Sequence, residues 1–389
     1  MVRESLSYRE NLSHRVARKL RVIVNAIPAA NPVTGIGRYV LQLYAAIAEI
    51  AAHEVDVQYF DGRTLSPRPP RPPADLRRFS RLGTLFWRLP VGLSLAVRLG
   101  MHWRRESVFR RLSAGADVYH ETAFFPFRPA PGVRIVQTVH DLSLQFHPGW
   151  HPGERVAYAR RYFADRLEWA SRILCVSEFT RGELLRFDPR TEGRISVSHL
   201  GVDSRFRPVR LEEVEEIRRR HRLPERYVLF VGSGDPRKNA RALGEIIARG
   251  RLPCEVVCVG WAGWLSGEAQ RGVRMLGYLP DEDLPALYGA ATAFAFPSLY
   301  EGFGLPVLEA MACGCPVVVP RAHSMPELVG EAGAYYGAAD DTDALERTLI
   351  DLVSDADARK RLAASGLERA RGFDWARTAR VTLEALAKA

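Results

Sequence analysis

The stretch "FPSLYEGFGLPVLEAMACGCPVVVP", residues 296–320, decides how the whole chain is read. A short apolar run ends at Pro297, and a turn, "LYEGFG", follows it. Then come the apolar segment "LPVLEAMA" and a second short apolar run, "PVVVP". Strand, turn, helix, strand is the repeating unit of a parallel α/β sheet. Gly302 and Gly304 permit close backbone approach in the turn. Pro306 suits the first helical turn, and Gly314 suits the position beyond the helix end. The turn therefore lies at the carboxyl end of a strand, where open α/β sheets bind ligands. The backbone N–H groups of residues 303 to 305 face outward at a helix start, which favours a phosphate. Two carboxylates frame this site. Glu301 stands in the turn, and Glu309 lies about one turn into the helix, among Val307, Leu308, Ala310, Met311 and Ala312. A buried carboxylate without donors is too costly to expect, so Glu309 needs partners. A ribose diol would bring two hydroxyl donors, so those partners are expected to arrive partly with a ligand. The alternative is a structural glutamate bonded to backbone.

The same unit recurs on both sides of this stretch. "LRVIVNAI" reads as a buried strand, "PAANPVTGIG" as its loop and "RYVLQLYAAIAEIA" as an amphipathic helix. "GADVYHE", "VRIVQTVH", "SRILCVS" and "GRISVSHL" read as later strands. A second series opens with "RYVLFVGS", continues through helix "NARALGEIIARG" and strands "CEVVCVG" and "VRMLGYL", and reaches "AFAFPS" and "PVVVP". Short apolar strands alternating with helices imply parallel sheets covered on both faces. With 389 residues and 47% apolar content, the chain exceeds one compact domain and can fill two cores. The segment "LGVDSRFRPVRLEEVEEIRRRHRLPE" between the two series is the expected hinge region.

Residues 61–112 break the pattern. "SPRPPRPP" is a proline-rich spacer, and arginines then mix with Phe86, Trp87, Leu95, Met101 and Trp103. The net charge is +10, and only Lys19, Lys238, Lys360 and Lys388 among the 55 basic residues are lysines. The segment reads either as a solvated helical excursion or as an interfacial element with arginines on anionic lipid. Nucleic acid is set aside, because no nucleic-acid module accompanies the charge. The five cysteines lie in apolar runs and read as reduced buried thiols of a cytosolic protein. A charged N-terminus argues against a signal peptide, and no apolar run is long enough to span a bilayer. The expected location is cytoplasmic, with peripheral attachment to the inner face of the plasma membrane through residues 76–112 as the further option.

The second series begins with "VLFVGSGDPRKNA". Gly232, Ser233 and Gly234 lead into Arg237 and Lys238 at a strand's carboxyl end. Two cations there can neutralise a diphosphate leaving group. An exposed basic turn is the plain alternative. In the first series, "TGIGRY" with Gly35 and Gly37 opens a helix, and "VHDLSLQFHPGW" places His140 and Asp141 at the end of a strand. Three Asp-x-Asp triplets occur, at 281–283, 341–343 and 355–357. The first two precede apolar helical patterns and read as N-caps rather than metal ligands.

These residues carry a family resemblance. Glu301 "GFGLPVL" Glu309 resembles the E-x7-E hallmark of the retaining nucleotide-sugar glycosyltransferases of family 4, with the GT-B fold. "TGIGRYV", "VHDLSLQFHP", "CVSEFTRGELLR", "SHLGVD", "VGSGDPRKN" and "SMPELVG" match that family in order from residue 22 to the C-terminus. The section 61–112 has no matching motif, and Gly-Asp at 234–235 departs from the commoner Leu-Glu-like pair. The resemblance implies an α/β architecture of two Rossmann-like doubly wound domains facing a central cleft. An acceptor-binding domain would cover 1–205, a nucleotide-sugar domain 206–372, and a helix 373–389 would return to the first domain.

It also implies residue roles. Arg237 and Lys238 would hold the diphosphate, and Glu309 the ribose hydroxyls. Glu301 and the backbone of Gly302, Phe303, Gly304 and Leu305 would hold the donor sugar and phosphate. His140 would lie by the reacting carbon. Gly35, Gly37, Gly232 and Ser233 would let the loops approach the donor. The implied reaction is metal-independent transfer of a hexose with retention, without a cofactor, by same-face attack in which a leaving phosphate oxygen takes the acceptor proton. "DPRKN" is most similar to the mannosyltransferase branch of surface-polysaccharide assembly, which points to GDP-mannose and a saccharide or lipid-linked acceptor. The competing readings are a UDP-sugar transferase of the same fold, a sugar-nucleotide epimerase or phosphorylase, and a catalytically silent membrane-associated scaffold.

Overall fold

The structure is a computed structural model and describes residues 18–30, 35–70, 90–232, 235–260 and 273–389. Its first sheet holds β1 Leu20–Asn25, β2 Val55–Phe60, β3 Leu65–Ser66, β4 Val118–Glu121, β5 Arg134–Val139, β6 Arg172–Cys175 and β7 Ile195–Val197. The second holds β8 Tyr227–Val231, β9 Glu255–Val259, β10 Val273–Gly277, β11 Ala293–Ala295, β12 Val317–Pro320 and β13 Ala334–Tyr336. The strand orders are β3-β2-β1-β4-β5-β6-β7 and β10-β9-β8-β11-β12-β13. Pairing is parallel throughout, apart from the antiparallel contact of β2 with β3.

Both sheets reverse their direction of growth beside their first strand. β1 lies between β2 and β4, and β8 lies between β9 and β11. That reversal splays the following loops apart and leaves a crevice at the carboxyl ends. The apolar strand runs are continuous because helices cover both faces; Val22, Ile23 and Val24 are all buried, as are Val317, Val318 and Val319. Two of the buried polar residues in the strands are bonded at least in part. Gln137 donates through Nε2 to the Phe124 carbonyl at 2.9 Å, and Thr138 Oγ1 lies 2.8 Å from both Tyr39 OH and His120 Nε2.

The strands read from sequence all form. β2, β3 and β13 were not among them. β2, "VDVQYF", has only half-buried residues at Asp56, Val57 and Gln58, and β13 is three residues long, so neither shows a clear apolar period. The final helix, Trp375–Ala387, packs against helix Gly35–Ala51 and strand β6 of the first sheet. The chain crosses by a close approach: Gly201 lies where a Cβ would sit 2.3 Å from the Trp375 nitrogen. One buried apolar cluster runs from Val22, Tyr39 and Leu43 to Phe303, Val307, Met325 and Trp375, so the two halves share apolar packing.

Part of the excursion at 61–112 belongs to the fold. Leu65–Ser66 adds an edge strand, and Val91–Leu112 forms a helix against helix Gly153–Leu167. His102 and Phe109 anchor that helix, with the His102 ring against Phe127 and Tyr162. Its outer face exposes Val91, Leu93, Val97, Met101 and Trp103 beside the exposed Arg104, Arg110 and Arg111. Phe86 and Trp87 lie outside the described residues. Among the described residues, no helix is long and apolar enough to cross a membrane.

Candidate active site

The cationic turn is built by three backbone devices. Gly260 stands where a Cβ would fall 1.9 Å from the Gly232 carbonyl oxygen, so β8 and β9 can only end this closely on glycine. Asp235 then accepts from the Arg237 backbone N–H at 3.0 Å and starts the turn Pro236–Lys238. Asn239 closes it in the left-handed region at φ 51°. The turn is tied to the neighbouring strand's exit by Leu299 N–H donating to the Arg237 carbonyl at 2.7 Å. Ser233 lies outside the described residues.

Both cations meet carboxylates. Arg237 Nη1 donates to Asp141 Oδ2 at 3.1 Å across the cleft, and its Nη2 donates to Asp235 Oδ2 at 3.2 Å. Burial alone would lower the Arg237 pKa, but Asp141 and Asp235 raise it. Burial would raise Asp141, yet the Arg237 charge and the Ser143 bonds hold it below the usual carboxylate range. Lys238 Nζ lies 2.6 Å from Glu301 Oε2 and 5.3 Å from the centre of the Phe296 ring.

The turn from Glu301 to Leu305 is pressed onto the first domain. A Cβ on Gly302 would fall 1.8 Å from the His140 carbonyl oxygen. The Gly302 carbonyl accepts from Ser177 Oγ at 2.5 Å and from Thr180 Oγ1 at 3.2 Å. Gly304 takes φ 105°, and the helix Leu305–Ala312 begins there with Val307 and Leu308 N–H bonded to its carbonyl. The amides before them are those a phosphate could accept from. Gly35 lies opposite, 3.9 Å from Leu305 Cδ1 measured from its Cβ direction, with Gly37 buried behind it. The Phe303 side chain is buried in the core, so only its backbone can face a ligand.

His140 is half-buried, its ring edge-on to Tyr39 with centroids 5.0 Å apart. Its Nε2 lies 2.8 Å from the Thr122 carbonyl, which can only accept, so Nε2 carries the proton. Burial lowers its pKa and keeps the ring neutral. Its neighbour His120 is driven to about 3 by burial, between Tyr44 OH and Thr138 Oγ1.

Glu309 is buried at 3% exposure, so it needs the donors that its burial calls for. The protein itself supplies partners. Arg38 Nη1 donates to Oε1 at 2.7 Å and Tyr288 OH donates to Oε2 at 3.2 Å. A carboxylate has about four acceptor positions, so further donors can still be taken. Burial raises the Glu309 pKa to about 7, against the lowering effect of Arg38 and Tyr288. Arg38 forks, and its Nη2 donates to Asp281 Oδ1 at 2.5 Å. This corrects the N-cap reading of the first Asp-x-Asp triplet, since Asp281 does not cap the following helix through its side chain but pairs across the cleft. Asp283 likewise makes no side-chain cap bond and faces Arg220 at 2.7 Å and His221 at 3.0 Å. Asp341 does cap, accepting from Ala344 N–H at 2.8 Å.

Arg38 was missed because "TGIGRY" was read for its glycines. Nothing local in the sequence links it to a glutamate 271 positions away. Asp141 was noted beside His140, but its pairing with Arg237 was not. A further tie across the cleft was equally silent: Glu327 accepts from the Glu178 and Phe179 backbone N–H groups at 2.8 and 3.2 Å and faces His199 Nε2 at 2.5 Å. Beside His140 and Asp141 lies a cavity of about 100 Å³ open to solvent, lined in part by Phe124, Phe125, Leu144, Tyr158, Arg98 and Arg155.

Comparison with known proteins places the chain in a family and a fold. The family description "Glycosyltransferase Family 4" matches residues 33–206, and "Glycosyl transferases group 1" matches residues 213–369. The O-antigen chain mannosyltransferase B of Escherichia coli is 34% identical over 386 residues, covering 94% of this chain and 99% of that one. A D-inositol 3-phosphate glycosyltransferase of Salinispora tropica is 30% identical, covering 93% of this chain and 82% of its own. Among solved structures, sucrose-phosphate synthase of Thermosynechococcus elongatus superposes with a TM-score of 0.69 at 21% identity, over 94% of this chain and 98% of that one. The Anabaena protein HepE in complex with UDP and glucose gives 0.68 at 18% identity, over 95% of this chain and 100% of its own. At those identities the superpositions speak for the fold alone. By its sequence and its two facing sheets, this chain belongs to glycosyltransferase family 4, a nucleotide-sugar glycosyltransferase of the GT-B fold on the family's mannosyltransferase-like branch.

Proposed function

We propose that the enzyme transfers mannose, with retention, from GDP-mannose to a saccharide or lipid-linked saccharide acceptor in surface glycan biosynthesis. The observation that carries this reading is the convergence of Arg237, Lys238, Glu301, the Leu305–Ala312 helix start and His140 in one cleft between the two sheets. The mannose assignment is supported by the 34% identity to a mannosyltransferase over nearly the full length of both chains.

In this reading the bond between the sugar's anomeric carbon and the diphosphate oxygen breaks, and the electron pair leaves with the diphosphate. Arg237, Lys238 and the helix amides stabilise that charge, a role worth several kcal/mol when donors are preorganised in a closed site. The acceptor hydroxyl oxygen bonds to the anomeric carbon on the same face, and its proton passes to the departing phosphate oxygen. His140, neutral and held by Thr122, accompanies the sugar as a hydrogen-bonding group and carries no charge. The reading assigns the charge work to protein cations and helix amides, and calls for no cofactor. The cavity beside His140, with aromatic walls and arginines, is the acceptor's seat in this scheme.

The exposed apolar and arginine-bearing face of helix Val91–Leu112 supports a further element, contact with an anionic membrane surface that presents a lipid-linked acceptor. Co-sedimentation with vesicles, with and without anionic lipid, tests it: the triple variant L93S/V97S/M101S should lose binding, and unchanged binding would remove the membrane from the scheme. The donor is tested by thermal shift with GDP, UDP and ADP, followed by a nucleotide-sugar hydrolysis screen without added metal. Stabilisation by GDP and release of mannose are expected. A response to UDP alone would favour the UDP-sugar alternative, and a response to none would favour a scaffold.

A further inference from the structure

We infer that Arg38 is a positioning residue for the donor: reaching across from the first domain, it holds and orients the Glu309 carboxylate for the two ribose hydroxyls. The inference rests on the reading that Glu309 grips the ribose. Its own ground is geometric. Arg38 projects from the first turn of helix Gly35–Ala51, yet both of its terminal nitrogens end on second-domain carboxylates, Glu309 and Asp281. A planar guanidinium that forks between two carboxylates fixes both in direction, which a lysine's single ammonium cannot do. It engages one Glu309 oxygen while Tyr288 engages the other, so the carboxylate cannot rotate and its remaining acceptor positions point in set directions.

The charges around Glu309 give the second ground. Arg38 faces it from helix Gly35–Ala51, Tyr288 from helix Leu284–Ala290, Asp281 from the turn before that helix, and the Cys313 thiol from the end of its own helix. Burial pushes the Glu309 pKa up, and Asp281 adds to it; Arg38 is the cation that opposes them. A protonated Glu309 would have a donor where the ribose needs an acceptor. Arg38 therefore makes the ribose grip depend on the first domain being in place, and so couples donor capture to cleft closure.

Affinities for GDP and for 2′,3′-dideoxy-GDP, measured by calorimetry from pH 6 to 9, test this, with the corresponding UDP pair run in parallel. The wild type should prefer the nucleotide with both hydroxyls by roughly tenfold or more, the order of hydrogen bonds to a charged group. Glu309→Gln should lose most of that preference; if it keeps the preference, the ribose reading itself falls. Arg38→Met should also lose most of it at pH 7, with the loss concentrated in the hydroxyl-bearing nucleotide and its pH midpoint displaced upward. Arg38→Lys should keep the midpoint near the wild-type value while recovering only part of the preference, and it also serves if Arg38→Met fails to fold. An Arg38→Met protein with wild-type preference and midpoint, or one that loses both nucleotides equally, overturns the inference and leaves the ribose reading standing.

Discussion

The cleft has two ends, and they are wired differently. At the end that the proposal gives to the phosphates, Arg237 and Lys238 are engaged by Asp141, Asp235 and Glu301. At the end that the proposal gives to the ribose, Arg38 is engaged by Glu309 and Asp281. Both ends use a cation–carboxylate pair that spans the two domains. The chemistry asked of them is opposite. A diphosphate is an anion and must compete with three carboxylates for the same two cations. A ribose diol is a donor and needs only acceptor positions that Glu309 still has. In the proposed scheme the phosphate end must therefore rearrange when the donor arrives, whereas the ribose end can stay as it is. Partly buried ion pairs of this kind are poor sources of net stability, because desolvation offsets the attraction. They do keep charged groups poised for exchange.

The sharpest way to break this comparison is Lys238→Ala. If the phosphate end carries the leaving-group charge, kcat should fall roughly 10²- to 10³-fold with little change in melting temperature. Turnover near the wild-type value would mean that the cation serves only to hold Glu301. Gly302→Ala comes next. Its Cβ would fall on the His140 carbonyl, so the turn must back away from the first domain. A displacement of about 1 Å at a reacting centre costs on the order of 10²-fold in rate. Small-angle scattering should show a slightly more open molecule, and an unchanged profile with unchanged kcat would show that the contact is dispensable.

The pH dependence of donor binding sharpens the other end. Glu309 is a carboxyl with a raised pKa, so its ionised, hydroxyl-accepting form is gained as pH rises through about 7. The ionised fraction climbs from about a tenth to about nine tenths between pH 6 and pH 8, so the advantage of GDP over its dideoxy analogue should grow up to tenfold. An advantage independent of pH would place the titrating group elsewhere.

What the sequence showed and hid follows the range of the interactions. The strand–turn–helix at 296–320 was legible because Gly302, Gly304, Pro306 and Gly314 act within a few residues of themselves. Gly304 does take φ 105° and Gly314 φ 75°. The carboxylates and cations of the second domain could be placed from the same local grammar. Their partners could not. Arg38, Asp141 and Glu327 reach groups far away in the chain, and no period or spacing encodes such a meeting. A burial argument showed that Glu309 needed donors; it could not say that the protein would provide two of them. The helix Val91–Leu112 of the 61–112 excursion was likewise opaque, since its arginines serve two faces: Arg98 faces Glu154 on the packed side while Arg104 and Arg110 are exposed.

The Asp-x-Asp triplets give the smallest and cleanest test. Asp281 and Asp341 look alike in sequence, each an acid before an apolar helix, and local reasoning gave them one role. In the structure Asp341 accepts from Ala344 N–H, whereas Asp281 is drawn off by Arg38. Loss of a capping side chain typically costs about 1 kcal/mol, so Asp341→Ala should lower unfolding stability by that much and leave donor affinity alone. Asp281→Ala should do the reverse, with little change in denaturation midpoint and an altered GDP preference over the dideoxy nucleotide, because one arm of the Arg38 fork is released. If both variants behaved as caps, the pairing across the cleft would be incidental, and the ribose end would be as independent of the first domain as its sequence alone suggests.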